Sequence, residues 1–424
     1  MERFVVNGGN ALHGQIEVGG MKNAAVAIIF ATILNEDECI IRNLPDISDV
    51  EDGFAILEKM GAKVERLDKT TYKVDTRNVE CGSSPYEFVR KMRASYYILG
   101  AELGRFGRAH TAYPGGCDFG VRPIDQHIKG FRALGATVTT VEAEKSFIDC
   151  VSEEGLVGST VYMDVVSVGA TINIILAASR AKGVTIIENA AREPHIVDLA
   201  NFLNASGAMI SGAGTDTIKI KGVEKLHGTD YTIIPDMIEA GTYMVAAAAT
   251  GGDLLITNVI PKHLESVSSK LVEMGVEVEE YDEAVRVKST GTLRGIEVKT
   301  LPYPGFPTDM NPQLGTLLCI ADGTSVIREG VWDNRFRYTE ELKLMGADIQ
   351  VEMGGKQATF KKVEKLVGAH VRAVDLRAGA AVIVAGLCAE GTTEITQIHH
   401  ILRGYENITE KLRGVGADIT LILD

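Results

Sequence analysis

The chain has 424 residues, 45% of them hydrophobic and 24% charged, with 11 prolines; at about 100–200 residues per domain it reads as a two-domain globular protein with no disordered tract. Acidic residues outnumber basic ones 57 to 43, for a net charge of −14, which argues against nucleic acid or an anionic membrane as partner. The opening MERFVVNGGNALHGQIEV alternates apolar and polar residues where a signal peptide would run apolar, and no apolar stretch reaches the ~20 residues of a membrane span; a cytoplasmic protein is expected.

Along the chain, a helix end running into a glycine and then a strand occurs six times: LEKMGAKVERL, FRALGATVTTV, FLNASGAMISG, LVEMGVEVEEY, LKLMGADIQVE and LRGVGADITLI. The glycines are Gly61, Gly135, Gly207, Gly275, Gly346 and Gly416, spaced 74, 72, 68, 71 and 70 residues apart, and each suits the left-handed position after a helix. Each unit also holds a helix apolar nearly all round, expected to be buried: MKNAAVAIIFATIL, MRASYYILGAEL, SVGATINIILAAS, MIEAGTYMVAAAA, DMNPQLGTLLCIA and LRAGAAVIVAGLCA. The repeat reads as strand, buried helix, strand, loop, amphipathic helix, strand, with room for further strands. Units of this size exceed the common solenoid repeats, so six α/β subdomains grouped three and three are expected, with the chain crossing between groups near Gly20 and near Pro235.

Charged residues gather at helix starts and in the polar loops. Lys22 and Asn23 open the first buried helix, Arg93 the second, Asp309 the fifth, and Asp375 with Arg377 the sixth. Arg122, Arg335 and Arg403 lie in the loops of repeats two, five and six. Cations at a helix start oppose the macrodipole, so Lys22, Arg93 and Arg377 read as anion-binding residues. For Asp309 the residue type favours a plain helix cap. The six cysteines (Cys39, Cys81, Cys117, Cys150, Cys319 and Cys388) lack CxxC spacing, which argues against a zinc site and a disulfide framework; His399 and His400 lack a third ligand and read as structural. Cys117 stands apart, in YPGGCDFGVRPID, where a glycine-rich polar loop with Arg122 nearby makes an accessible and partly activated thiol, either nucleophile or proton donor. SGAGTDT and GGMKNA lack P-loop spacing, and no GxGxxG follows a first strand; no cofactor and no metal are expected.

Taken together and in order, MKNAAV, MRASYYILG, PGGCDFGVRPIDQHI, SVGAT, NAAREP, GFPTDM, DNRF, DLRAGAA and LRGYENITEKL resemble the UDP-N-acetylglucosamine 1-carboxyvinyltransferase family over the whole chain. The cysteine loop separates it from the sister 5-enolpyruvylshikimate-3-phosphate synthases. The resemblance implies an α/β (α+β) fold, a two-domain inside-out α/β barrel: domain I from 1–20 plus 235–424, domain II from 21–234 with the Cys117 loop, closing over a deep cleft. It implies transfer of the enolpyruvyl group of phosphoenolpyruvate to the 3′-hydroxyl of UDP-N-acetylglucosamine with release of phosphate, the first committed step of peptidoglycan synthesis. In that reading Cys117 protonates C3 or forms a covalent adduct and is alkylated by fosfomycin, and Asp309 accepts the hydroxyl proton. Lys22, Arg93, Arg122 and Arg403 bind phosphoenolpyruvate, Lys22 and Arg403 also serving catalysis, while Arg335, Asp375 and Arg377 organise the closed site. UDP-N-acetylglucosamine is implied to contact Asn23, Arg93, Arg122, Pro123, Ile124, Asp125, Gln126, His127, Ser167, Val168, Gly169, Asp309 and Val331. A monomer is the expectation, an oligomer the alternative. The chain departs from the family pattern at Met21, Val165, His195 and Met237, which keeps two other readings open: a weakly active paralogue that binds a uridine nucleotide sugar in a regulatory role, and an enolpyruvyl transferase for another hydroxyl acceptor.

Overall fold

The computed structural model describes residues 2–90, 92–113, 124–141, 146–289 and 292–423. Two kinds of helix alternate. The inner ones are α1 (Lys22–Ala31), α2 (Tyr97–Phe106), α3 (Val168–Ala178), α4 (Met237–Ala249), α5 (Asn311–Leu318) and α6 (Leu376–Cys388). A helix without a polar stripe is stable only when surrounded, and every residue of α1 from Ala24 and of α3 from Gly169 is buried. The outer helices Ser48–Lys59, Asp125–Ala133, Pro194–Ala205, Glu265–Glu273, Tyr338–Leu344 and Ile408–Gly414 are amphipathic. All six glycines expected at their ends have positive φ, from +89° to +107°, which a side chain would resist.

The chain divides into two compact units, Met1–Gly19 with Pro235–Asp424, and Gly20–Ile234. In each, inner helices form the core and small sheets lie outside, an inside-out α/β barrel. Strands alternate as a half-buried sheet requires: in Thr217–Lys221, Ile218 and Ile220 are buried and their neighbours exposed. In the unit Gly20–Ile234, α2 packs against α1 and α3. Its strand Glu38–Arg42 has Asp230–Thr232 parallel on one side and Tyr72–Asp75, then Lys63–Arg66, antiparallel on the other. The sheet built on Val184–Glu188 repeats that order, while the one holding Arg108–Ala112 has three strands among the described residues.

In the other unit α4, α5 and α6 pack on one another, and all three sheets follow the same order. Two of their strands come from the N-terminus: His13–Glu17 runs parallel to Asp253–Thr257, with Ile16 opposite Ile256. Arg3–Asn7 fills the middle of the last sheet, where Phe4 faces both Ile395 and Leu421. The hairpin of Lys63–Arg66 with Tyr72–Asp75, like its counterparts such as Glu277–Glu280 with Ala284–Lys288, adds one strand to the expected repeat. After three of the central strands stands an asparagine with positive φ, Asn43, Asn189 or Asn258, and its amide bonds the carbonyl of Ile233, Met163 or Val18 at 2.6–2.8 Å. A side chain that tolerates the left-handed region thus holds the end of the parallel strand in place.

Candidate active site

In the unit that holds Pro235–Asp424, Asp309 lies in a 3-10 turn (Thr308–Met310) just before α5. Contrary to the cap expectation, the N-cap positions of that turn and of α5 are Pro307 and Met310, and neither makes a side-chain cap. The Asp309 carboxylate instead lies between two arginines: Arg335 Nη2 is 2.6 Å from Oδ1 and Arg377 Nε 3.2 Å from Oδ2. Both arginine side chains are only 5% exposed, against 31% for Asp309. Charge-assisted bonds to both oxygens fix the carboxylate.

Each arginine is itself held. Arg335 Nε donates to the Thr308 carbonyl at 2.9 Å, closing the turn that carries Asp309. Asp375 caps α6, accepting the backbone N–H groups of Arg377 and Ala378 at 2.8 and 2.9 Å. Arg377 Nη1 also reaches the Tyr405 hydroxyl at 3.3 Å, and that hydroxyl meets Thr242 Oγ1 at 2.9 Å and Gln313 Nε2 at 3.3 Å, all buried. Burial alone would favour loss of the Arg377 proton; Asp309, Tyr405 and Asp236 outweigh it, and the net shift is upward. Beneath the turn the buried Glu329 carboxylate accepts from Thr300, Thr308 and Asn311 side chains at 2.7, 3.0 and 2.8 Å and from the Val331 N–H at 2.8 Å. Tyr405, Gln313, Thr242 and Glu329 were not foreseen; the available signal was a polar residue in an otherwise buried stretch. Arg403 ends the short helix His399–Leu402, half-buried, where burial first and then the charges of His399 and Arg403 lower the proton affinity of His400.

In the unit Gly20–Ile234, Lys22 is the first residue of α1, and its Nζ lies 2.9 Å from Asp49 Oδ2 in the first turn of Ser48–Lys59. Asn23 follows it, half-buried. Arg93 opens a 3-10 turn (Arg93–Tyr96), its guanidinium 6.0 Å from the centroid of the Tyr96 ring. The same ring meets His127 edge-on at 4.9 Å, and a Cβ on Gly169 would lie 2.3 Å from its hydroxyl. Arg93, His127 and Gly169 are therefore gathered around one tyrosine.

Ile124 precedes the helix that Asp125 opens. Gln126 binds Asp125 Oδ2 at 2.7 Å and, on both sides of its amide, Asp164. Ser167 caps α3 through the Ala170 N–H at 3.3 Å, with Val168 half-buried beside it. Cys117, Arg122 and Pro123 lie outside the described residues. Of the departures from the family pattern, Met21, Met237 and His195 are buried and Val165 exposed. Among the described residues no three His, Cys, Asp or Glu side chains gather as a metal site, and no helix is long and apolar enough to cross a membrane.

The profile of the EPSP synthase (3-phosphoshikimate 1-carboxyvinyltransferase) family matches residues 6–412. The chain is 56% identical over 422 residues to UDP-N-acetylglucosamine 1-carboxyvinyltransferase 3 of Caldanaerobacter subterraneus subsp. tengcongensis, covering 100% of each. It is 53% identical to UDP-N-acetylglucosamine 1-carboxyvinyltransferase of Clostridium botulinum, with 99% of each covered. Among solved structures it is similar to the enolpyruvyl transferase NikO from Streptomyces tendae, with a TM-score of 0.89 and 27% identity over 99% of this chain and 98% of that one. EPSP synthase from Acinetobacter baumannii, at 20% identity and a TM-score of 0.76 over 99% of this chain and 100% of that one, shares the fold.

Proposed function

This chain belongs to the EPSP synthase family and, within it, to the UDP-N-acetylglucosamine 1-carboxyvinyltransferases, and from that premise we propose that it transfers the enolpyruvyl group of phosphoenolpyruvate to the 3′-hydroxyl of UDP-N-acetylglucosamine. The sugar oxygen bonds to C2 of phosphoenolpyruvate as C3 takes a proton. The tetrahedral centre then loses phosphate from C2 and a proton from C3, leaving the enolpyruvyl ether.

Asp309 accepts the hydroxyl proton, held for that purpose by Arg335 and Arg377, with Asp375 fixing the helix start that carries Arg377. Lys22, Arg93, Arg122 and Arg403 bind the phosphate and carboxylate of phosphoenolpyruvate. In a chain of net charge −14, such local cations are what make an anionic substrate bindable, and in a water-poor site they stabilise the charge of the tetrahedral centre. Cys117 protonates C3 or forms the covalent adduct, and it takes fosfomycin. Asn23 contacts the sugar, Val331 lines the same ligand, and residues 122–127 and 167–169 hold the uridine diphosphate. The protein acts in the cytoplasm as a monomer, at the first committed step of peptidoglycan synthesis.

The observation that carries this reading is the Asp309 carboxylate, bound on both oxygens by buried arginines yet 31% exposed. A helix cap would turn to backbone N–H groups; this carboxylate is held by two guanidinium groups and stays partly exposed. The test is phosphate release from phosphoenolpyruvate, expected to require UDP-N-acetylglucosamine and to be lost in Asp309→Ala, in Cys117→Ala and after fosfomycin. Well-folded wild type that binds the nucleotide sugar and releases no phosphate would overturn it.

A further inference from the structure

Asn173 is fully buried in the middle of α3, where an amide must have its hydrogen bonds met by neighbours. Its Oδ1 accepts the Gly100 N–H at 2.9 Å from the first turn of α2. The approach is close: a Cβ on Gly100 would stand 2.6 Å from that oxygen and 2.5 Å from the Asn173 carbonyl oxygen. With Oδ1 committed to an N–H, Nδ2 faces the other way and donates to His127 Nδ1 at 2.9 Å. A nitrogen that accepts carries no proton, so the His127 proton is on Nε2. A doubly protonated ring would set one N–H against another.

The surroundings agree. Tyr96 meets the ring edge-on at an interplanar angle of 85°. Burial, followed by the Arg93 charge from the 3-10 turn and opposed by Asp125 on the same helix, pushes His127 down to about 3, so the ring stays neutral at physiological pH. Among the described residues Nε2 has no hydrogen-bond partner.

We propose that Asn173 is a positioning residue that locks His127 as the neutral Nε2–H tautomer, so that this part of the unit offers a fixed donor to an acceptor oxygen of the bound nucleotide. The proposal rests on the reading that residues 122–127 and 167–169 hold the uridine diphosphate. It reaches beyond that reading by giving the polarity of the contact and the residue that sets it.

The experiment is ¹⁵N NMR of the full chain with labelled histidine, His127→Gln supplying the assignment. From about pH 5 to about pH 9, one ring is expected to keep a protonated Nε2 and an unprotonated Nδ1 without titrating. A His127 protonated on Nδ1, or titrating in that range, overturns the proposal, and the wild-type spectrum alone decides this if variants fold poorly. Asn173→Asp presents only acceptors, so it should invert the tautomer or charge the ring. Its KM for UDP-N-acetylglucosamine should rise about 10- to 100-fold, with kcat changed by less than about threefold.

Binding of uridine, UMP and UDP locates the oxygen. Weakening of UMP and UDP alone indicates phosphate; weakening of uridine as well indicates the uracil carbonyl; no weakening of any overturns the donor role. Failure of wild type to transfer enolpyruvate would instead strike the functional reading, and the tautomer result would stand apart from it.

Discussion

Asparagine at position 309 keeps the shape of the side chain and removes its charge. Arg335 and Arg377 each donate to one carboxylate oxygen, at 2.6 and 3.2 Å; an amide offers oxygen to only one of them and turns an N–H on the other. One charge-assisted bond is lost, about 1.5–3 kcal/mol, and two buried guanidinium groups lose their counter-charge. For a fully buried pair that costs about 3–5 kcal/mol, but the 31% exposure of Asp309 lets water screen part of it. About 2–3 kcal/mol is therefore expected in the urea transition of this unit. The effect on chemistry is larger, since a positioned proton acceptor contributes about 10²- to 10⁴-fold. Under saturating substrates, phosphate release should fall by about that factor while the KM for UDP-N-acetylglucosamine moves less than about threefold. A folded Asp309→Asn enzyme keeping more than about a tenth of wild-type kcat would refute the proton-acceptor role. Unchanged urea stability would refute the clamp.

Three further outcomes are expected. Gly315→Ala puts a Cβ 2.3 Å from the hydroxyl of fully buried Tyr338, which is bonded to Asn311 Oδ1 at 2.9 Å; urea unfolding should show a loss of about 1–3 kcal/mol. Glu102 is buried on α2, and burial, opposed by the N–H groups of Gly82 and His110, raises its carboxyl from 4.5 to about 7. A raised carboxyl pKa means that the folded state holds its proton longer, so its contribution is present below about pH 4.5 and lost as pH rises through about 7. The stability of Glu102→Gln relative to wild type should thus improve between about pH 5 and about pH 8, by at most about 3 kcal/mol; no change, or a change of opposite sign, would show that this carboxyl does not titrate as described. Burial raises Cys39 and Cys81 to about 11, Cys150 and Cys388 to about 12, and Cys319 as well. Iodoacetamide at neutral pH should therefore modify one thiol of the folded chain, and Cys117→Ala should abolish that labelling.

What the sequence made legible was local. A glycine closing an amphipathic helix and an apolar helix without a polar stripe announce themselves within about a dozen residues, and the six closing glycines and six inner helices lie where those signals place them. Pairing across the chain leaves no local trace: nothing in RFVVN says that it fills a sheet between Thr392–Thr396 and Asp418–Ile422. The misreading of Asp309 has the same origin. An aspartate before a helix looks identical whether it caps or is held by side chains from elsewhere, and what decides is Arg335 and Arg377, 26 and 68 residues away. Thr242, Gln313 and Tyr405 were visible as polar residues among apolar ones, but their meeting at Arg377 depends on how α4, α5 and α6 pack. His127 sits in a recognisable motif, whereas the partner that sets its tautomer lies in α3, within a stretch that reads as plain core.

Addition followed by elimination leaves a mark that simple hydrolysis of phosphoenolpyruvate does not. In D₂O, C3 must take a deuteron when the sugar oxygen adds to C2, and the methyl group so formed gives up one of its three hydrogens when phosphate leaves. The measurement is therefore the isotopic content of the product formed from phosphoenolpyruvate and UDP-N-acetylglucosamine in D₂O. An enolpyruvyl ether of the nucleotide sugar carrying deuterium at its vinylic carbon, formed in step with phosphate, is the predicted result; phosphate accompanied by pyruvate, with the nucleotide sugar unchanged, would contradict it.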